Sequence, residues 1–338
     1  MITPFTLIFA FAIAAPIQLN DLKLEKNTAS TQNTQALISG NSATGTQLNS
    51  ISSTGNLGQT QIQSLGIQQN VANTQSNTIT ASGNKAVDMT LQGTVLGNVA
   101  NVQSNGIDIK SNSAKDQNIF GGIGSNTASL QSNNLNLNSN FASKDQVVGG
   151  QISGNNADLQ FNTANVNSNW AVANGKNQVQ ISSNNAAIGQ VNVGNVNANH
   201  ANLNQDNGCI IGVNAAGNGG QTNACNVIGN DPTTQNNVAG IINNVSSGSQ
   251  SNTIKLASNF NAGVQLNDGE IVGNKAGNVQ TNDVSITGST SLGSQKNIAL
   301  IKDNTGTFAQ INNGLVSGNI AGTQITTGGI VGNQVIKG

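Results

Sequence analysis

One column of asparagines constrains this chain more than any other feature. Asn stands at 27, 41, 56, 70, 84, 98, 112, 126, 140, 155, 169, 184, 199, 214, 230, 244, 259, 274, 304, 319 and 333, with Ser289 in the remaining slot. The step is 14 or 15 residues, with a single step of 16 after Asn214. A period kept this closely marks a solenoid, in which each unit buries its apolar face only against its neighbours.

A second column is locked to the first. Gln precedes the next Asn by nine residues, as in Gln75/Asn84 and Gln103/Asn112, except where Met89 and Gly175 replace it. All variation in length falls between an Asn and the Gln that follows it: five residues in Asn98/Gln103, six in Asn41/Gln47 and seven in Asn214/Gln221. One corner therefore tolerates insertion, while the segment from Gln to the next Asn does not. Within that rigid segment, small or aliphatic residues stand four and six after Gln, as in Ile107/Ile109, Leu135/Leu137, Val179/Ile181 and Ile254/Leu256. Alternation at period two is the signature of a strand with one face inward. The residue two after Gln is usually Asn (Asn77, Asn105, Asn133, Asn192, Asn252, Asn282). These patterns predict an all-β chain: a single long β-solenoid of 14–15-residue two-strand coils, about 21 of them. Columns of Asn and Gln at the bends would bond along the axis as amide ladders. At ~4.8 Å per coil, the rod would be roughly 100 Å long.

Composition agrees with a thin coil. Aromatics make up 3% of the 338 residues, charged residues 7%, and Tyr and Arg are absent. A globular core of this length would call for larger side chains. With a net charge of −1 and no basic cluster, nothing draws the chain to nucleic acid or to an anionic membrane. Asn/Gln-rich tracts can also be disordered, but disorder does not keep a nine-residue spacing along a whole chain.

The ends and one internal stretch depart from the rule. Residues 1–15, apolar from Phe5 onward and closing on Ala12-Ile-Ala14-Ala15, read as a secretory leader too short to span a bilayer. Residues 16–26 carry Asp21, Lys23, Glu25 and Lys26 and read as an N-terminal cap or a propeptide. Residues 27–338 form the repeat domain, with an irregular coil at 214–234 that holds Gly217, Gly219, Gly220 and a Pro232 in the Ala slot. No later stretch suits a membrane span. The expected setting is extracellular, at a cell surface or wall.

Few residues offer chemistry. Cys209 and Cys225 each fall four after a Gln, in the inward slot of neighbouring coils. Strands ~4.8 Å apart place two cysteines within reach of a disulfide, and the leader supplies an oxidising compartment. Two buried free thiols are the alternative, and a metal site would need more than the one His present. Acidic residues (Asp88, Asp108, Asp116, Asp145, Glu270) are scattered and no nucleophile is placed by a motif, so neither an enzyme nor a cofactor is expected. In the outward slot after Asn, Phe141, Trp170 and His200 form a candidate ligand stripe, two coils apart at roughly 10 Å. That spacing is near the disaccharide repeat of an extended polysaccharide. Asn244-Val-Ser246 is a glycosylation sequon.

The heptad Asn-x-Ala-x-x-x-Gln, at Asn41–Gln47, Asn199–Gln205 and Asn274–Gln280, resembles the second half of the curlin repeat of bacterial surface amyloids. The resemblance implies a secreted subunit, a strand–turn–strand coil with internal Asn/Gln ladders, and fibre assembly. The chain departs from curlin in its shorter period, its more distant upstream Gln and its lack of Tyr. Insect antifreeze solenoids have comparable coils, but no Thr-x-Thr column recurs here. The expected function is a secreted structural or surface-coat rod whose partner is itself, assembling end to end. A polysaccharide-binding adhesin is the alternative, and ice binding is third.

Overall fold

The computed structural model describes residues 5–10 and 17–335. Every strand pairing is parallel, and among the described residues there is no helix. Partners lie 28 to 31 residues apart: Ile79 pairs with Ile107, Ile107 with Leu135, and Leu135 with Ala164. One turn of the solenoid therefore holds two sequence units, which corrects the expected one-unit, two-strand coil. Successive units run in opposite walls. One wall, sheet A, contains Thr28–Ser39, Leu57–Gln68, Asp88–Leu96 and onward to Ile320–Val331. The other, sheet B, contains Ile17–Glu25, Thr46–Thr54, Thr74–Ser82 and onward to Ala309–Ser317. Each wall stacks eleven such strands, so the rod has eleven turns rather than about 21 coils. At the parallel-sheet spacing it is about 50 Å long, not 100 Å.

The physical reason lies in the corners. The residue before every corner Asn adopts a left-handed backbone, from Lys26 (φ 53°) and Gly40 (φ 68°) to Gly318 (φ 63°) and Gly332 (φ 66°). One left-handed residue turns the chain out of its sheet and into the facing one, so two corners are needed to close a turn. Gly takes that conformation at no steric cost, which accounts for the Gly that often precedes Asn. Val213, at φ 58°, is the one β-branched residue in that slot among the described residues, where L-residues lose about 1–2 kcal/mol. Val213→Gly should therefore raise stability by about 1 kcal/mol. Gly229→Val should lower it by a similar amount, since a Cβ at Gly229 (φ 67°) meets nothing within 4 Å and the cost is purely backbone. Urea unfolding of the two variants checks both.

Parity inside the strands is as the sequence implies. Ile107 and Ile109 are 1% and 0% exposed, whereas Lys110 points outward. The Gln column and the Asn two residues later are not at the bends, as expected, but on the inward strand face. In sheet B the Gln ladder is unbroken from Gln47→Gln18 (3.0 Å) to Gln310→Gln280 (2.8 Å). In sheet A, Met89 and Gly175 interrupt it. Gln61 bonds Gln32 at 2.8 Å, but Gln61 Oε1, both amide atoms of Gln205, and Gln235 Nε2 find no hydrogen-bond partner among the described residues.

The corner asparagines do the capping. The Asn112 backbone N–H and Nδ2 both donate to Asn140 Oδ1 (3.2 and 3.1 Å), and Nδ2 also donates to the Ala81 carbonyl (3.0 Å). Asn112 Oδ1 in turn accepts from the Asn84 backbone N–H (3.0 Å), so one amide satisfies both the N–H and the C=O freed at the corner of the preceding turn.

Ile17–Glu25 is the first strand of sheet B. It pairs with Thr46–Thr54, and Gln18 and Asn20 join the two inner ladders. The repeat therefore begins before Asn27; Asp21, Lys23 and Glu25 occupy outward slots of a regular strand, and Lys26 stands at its corner. Within the expected leader, Phe5–Ala10 pairs in parallel with Asn33–Ile38 on the outer edge of sheet A; residues 1–4 and 11–15 lie outside the described residues.

Candidate functional site

Cys209 and Cys225 are bonded, with Cα atoms 5.8 Å apart. The geometry differs from stacked neighbours within one sheet. Cys209 lies on Asn204–Gly212 of sheet A and Cys225 on Gly220–Ile228 of sheet B, so the bond crosses the interior. Gly194 makes room for it: a Cβ there would stand 2.6 Å from Cys209 Sγ. The bond pins the longest coil, where the loop at Gly217–Gly220 interrupts the wall. Replacing both cysteines with Ala should cost about 3 kcal/mol, the typical value for closing a loop of this size. Hydrogen exchange should quicken around residues 190–250 and leave the distal turns protected, because each turn contacts only its neighbours.

Phe141, Trp170 and His200 stand on three adjacent strands of a short corner sheet: Phe141–Ala142, Trp170–Ala171 and His200–Ala201. The two-unit turn makes them immediate neighbours, not residues two coils apart. Ring centroids are 6.1 Å apart for Phe141–Trp170 and 5.0 Å for Trp170–His200, both edge to face. The spacing is that of single strands, so the match to a disaccharide repeat is lost. Trp170 is half exposed. His200 Nε2 contacts Asn202 Oδ1 at 2.9 Å, and Nδ1 lies 3.8 Å from Asp231 Oδ2. Beyond Asp231 the pairing thins to a single bond, from the Phe260 N–H to the Asn230 carbonyl (3.0 Å), because Pro232 has no N–H to donate; Phe260 then pairs with Thr290.

Asn244 is not an acceptor in the folded chain. It is fully buried, and its Nδ2 donates to the Ile211 carbonyl (3.1 Å) and to Asn274 Oδ1 (3.0 Å). A glycan on that nitrogen would break the corner ladder, which corrects the sequon reading.

The carboxylates are less scattered than the sequence suggested. Asp88 and Asp116 are register partners, and Lys144 Nζ lies 3.8 Å from Asp116 and 3.5 Å from Asp145. The Asn174 amide holds the Asp145 carboxyl below its usual range, with Lys144 adding to the effect. Burial pushes Asp268 up, as does Glu270, while Lys296 opposes. Among the described residues no group of three or more metal-ligating side chains converges, and no helix is long and apolar enough to cross a membrane.

One surface feature went unread. Just before Gln on sheet B, the column runs Leu159, Gly189, Gly220 and on to Val279, leaving a groove of about 450 Å³ bordered by Phe161 and Val191. Its signal was two successive glycines, Gly189 and Gly220, in a slot that otherwise carries a side chain.

The architecture defines a two-walled parallel β-solenoid with polar amide spines. Compared with protein-family models, curated proteins and solved structures, the chain matches none of them.

Proposed function

We propose that the chain is a secreted structural rod that stacks end to end with copies of itself into fibres at the cell surface. The observation that carries this reading is the C-terminal-most described turn. Ile330 stands in register with Ile301, at an inward position that is 1% exposed at Ile301 and 0% at Ile271, yet Ile330 is 54% exposed. Gln324 and Thr326 face the same way and are exposed as well. Edges of this kind, flat and with unpaired N–H and C=O groups, are templates for further strands. A net charge of −1 puts little repulsion between copies. The disulfide is compatible with the oxidising setting that export would supply.

The test is negative-stain imaging and sedimentation of the 338-residue chain across a concentration series. Unbranched filaments that vanish when Ile330→Lys and Val335→Lys are combined support the reading. A monomer at every concentration, also when Ile8→Pro breaks the pairing of Phe5–Ala10 with the end strand of sheet A, overturns it. A second reading, a polysaccharide-binding adhesin, rests on the exposed ring of Trp170 between Phe141 and His200 and no longer on their spacing. Glycan-array binding lost on Trp170→Ala would move it ahead.

A further inference from the structure

We infer that the rods join head to tail, with Ile17–Glu25 and Thr28–Ser39 of one copy seated on Ala309–Ser317 and Ile320–Val331 of the next. This rests on the self-assembly reading and adds to it the direction, the register and the residues of the joint.

Direction follows from the ladders. In sheet B every Gln donates toward the N-terminal side, ending with Gln47 Nε2 on Gln18 Oε1. Every inner Asn donates the opposite way, from Asn20→Asn49 (2.7 Å) to Asn282→Asn312 (2.8 Å). The corner ladder cannot be reversed by flipping amides, because a backbone N–H shares its acceptor: Asn274 N and Nδ2 both donate to Asn304 Oδ1 (3.0 and 3.1 Å). The C-terminal face thus offers Gln310 Oε1 as acceptor and Asn312 Nδ2 as donor; the N-terminal face offers Asn20 Oδ1 and the second proton of Gln18 Nε2, whose first is given to Asn41 Oδ1 at 3.5 Å. Head-to-tail stacking pairs every donor with an acceptor. Tail-to-tail stacking sets Nδ2 against Nδ2 and leaves both unsatisfied in a closed interior.

Register follows from like residues meeting. With Gln18 over Gln310, Asn20 falls over Asn312 and Thr34 over Thr326. The same alignment places Leu22 over Gly314. Gly314 and Gly328 stand in aliphatic slots and open a cavity of about 340 Å³ walled by Ala299, Ile301, Val316 and Ile330. A Cβ on Gly314 meets nothing within 4 Å. The Leu22 side chain of the incoming copy fills that space, replacing exposed apolar surface with packed core. Phe5–Ala10 pairs along the edge of Thr28–Ser39 that the joint uses, so the leader strand covers the joint until it is displaced.

Two full-length proteins test the joint, both carrying Ile8→Pro to break the leader strand's pairing. One also carries Leu22→Cys, the other Gly314→Cys. Mixed under oxidised glutathione, they should give a disulfide-linked heterodimer in roughly tenfold excess over either protein alone, since stacked Cα atoms fall within the disulfide window and distant ones do not. Adding Gly314→Leu, which fills the cavity from within, to Ile8→Pro should suppress the filaments that Ile8→Pro alone forms. Linkage of Gly314→Cys to itself, filaments without the mixed disulfide, or filaments undiminished by Gly314→Leu would each overturn the joint and leave self-assembly standing. Absence of any oligomer from the chain carrying Ile8→Pro alone as well would overturn both.

Discussion

Ile109→Asp should unravel the central turns, losing more than about 4 kcal/mol. Ile109 is 0% exposed and lies between the walls with Ile79, Leu91 and Leu137, all in the same buried cluster. A carboxylate there has neither water nor a cation to meet. Lys110→Asp, one residue on, removes only an exposed contact to Asp108 (2.6 Å, Lys110 half exposed). Such surface pairs contribute about 0–1 kcal/mol. Chemical unfolding monitored by circular dichroism separates the two variants, and equal losses would mean that the inward and outward faces are misassigned.

Asn126→Asp should be nearly as damaging, and its damage should depend on pH. Asn126 Nδ2 donates to Asn155 Oδ1 (3.0 Å) and to the Val95 carbonyl (3.1 Å), while its Oδ1 accepts from Asn98 N and Nδ2 (both 3.0 Å). The substitution keeps the acceptor and replaces the donor with a charged oxygen facing two acceptors. The loss at neutral pH should be about 3–5 kcal/mol, the scale for an uncompensated buried charge. Burial and the facing oxygens raise the folded-state pKa of the new carboxyl above its unfolded value. The protonated form restores a donor, so stability should return as pH falls through that raised pKa and be lost again as pH rises. Asn185→Asp, on an exposed corner, should show neither effect. Thermal melts of both variants across an acid-to-neutral series provide the check.

Much of this fold is written in the sequence. The corner Asn, the rigid nine-residue spacing and the period-two core each report a local geometry that recurs in every unit. The number of units per turn is harder to read, because both half-turns obey the same rule: a strand, a left-handed residue, an Asn. Alternate units nevertheless differ. Met89 and Gly175, which break the Gln column, both fall in sheet A, and the Gln column of sheet B has no gap. Phe141, Trp170 and His200 recur at 29 and 30 residues, which is two units. Those alternations were the signal for a two-unit turn. Cys209 and Cys225 illustrate the same point: the inward slot predicted the bond, but only the two-walled turn explains why it crosses the interior. The Asn244 sequon misled because a motif of three residues carries no information about burial. The aromatic corner was legible as a column and misjudged in its spacing.

The central claim, two sequence units per turn, has a direct measurement in small-angle X-ray scattering from dilute monomer. Eleven turns at ~4.8 Å predict a short, flat rod about 50 Å long, broadened by walls of eight- to thirteen-residue strands. A slender particle near 100 Å, with roughly half that cross-section, is what one unit per turn requires, and finding it would contradict the account.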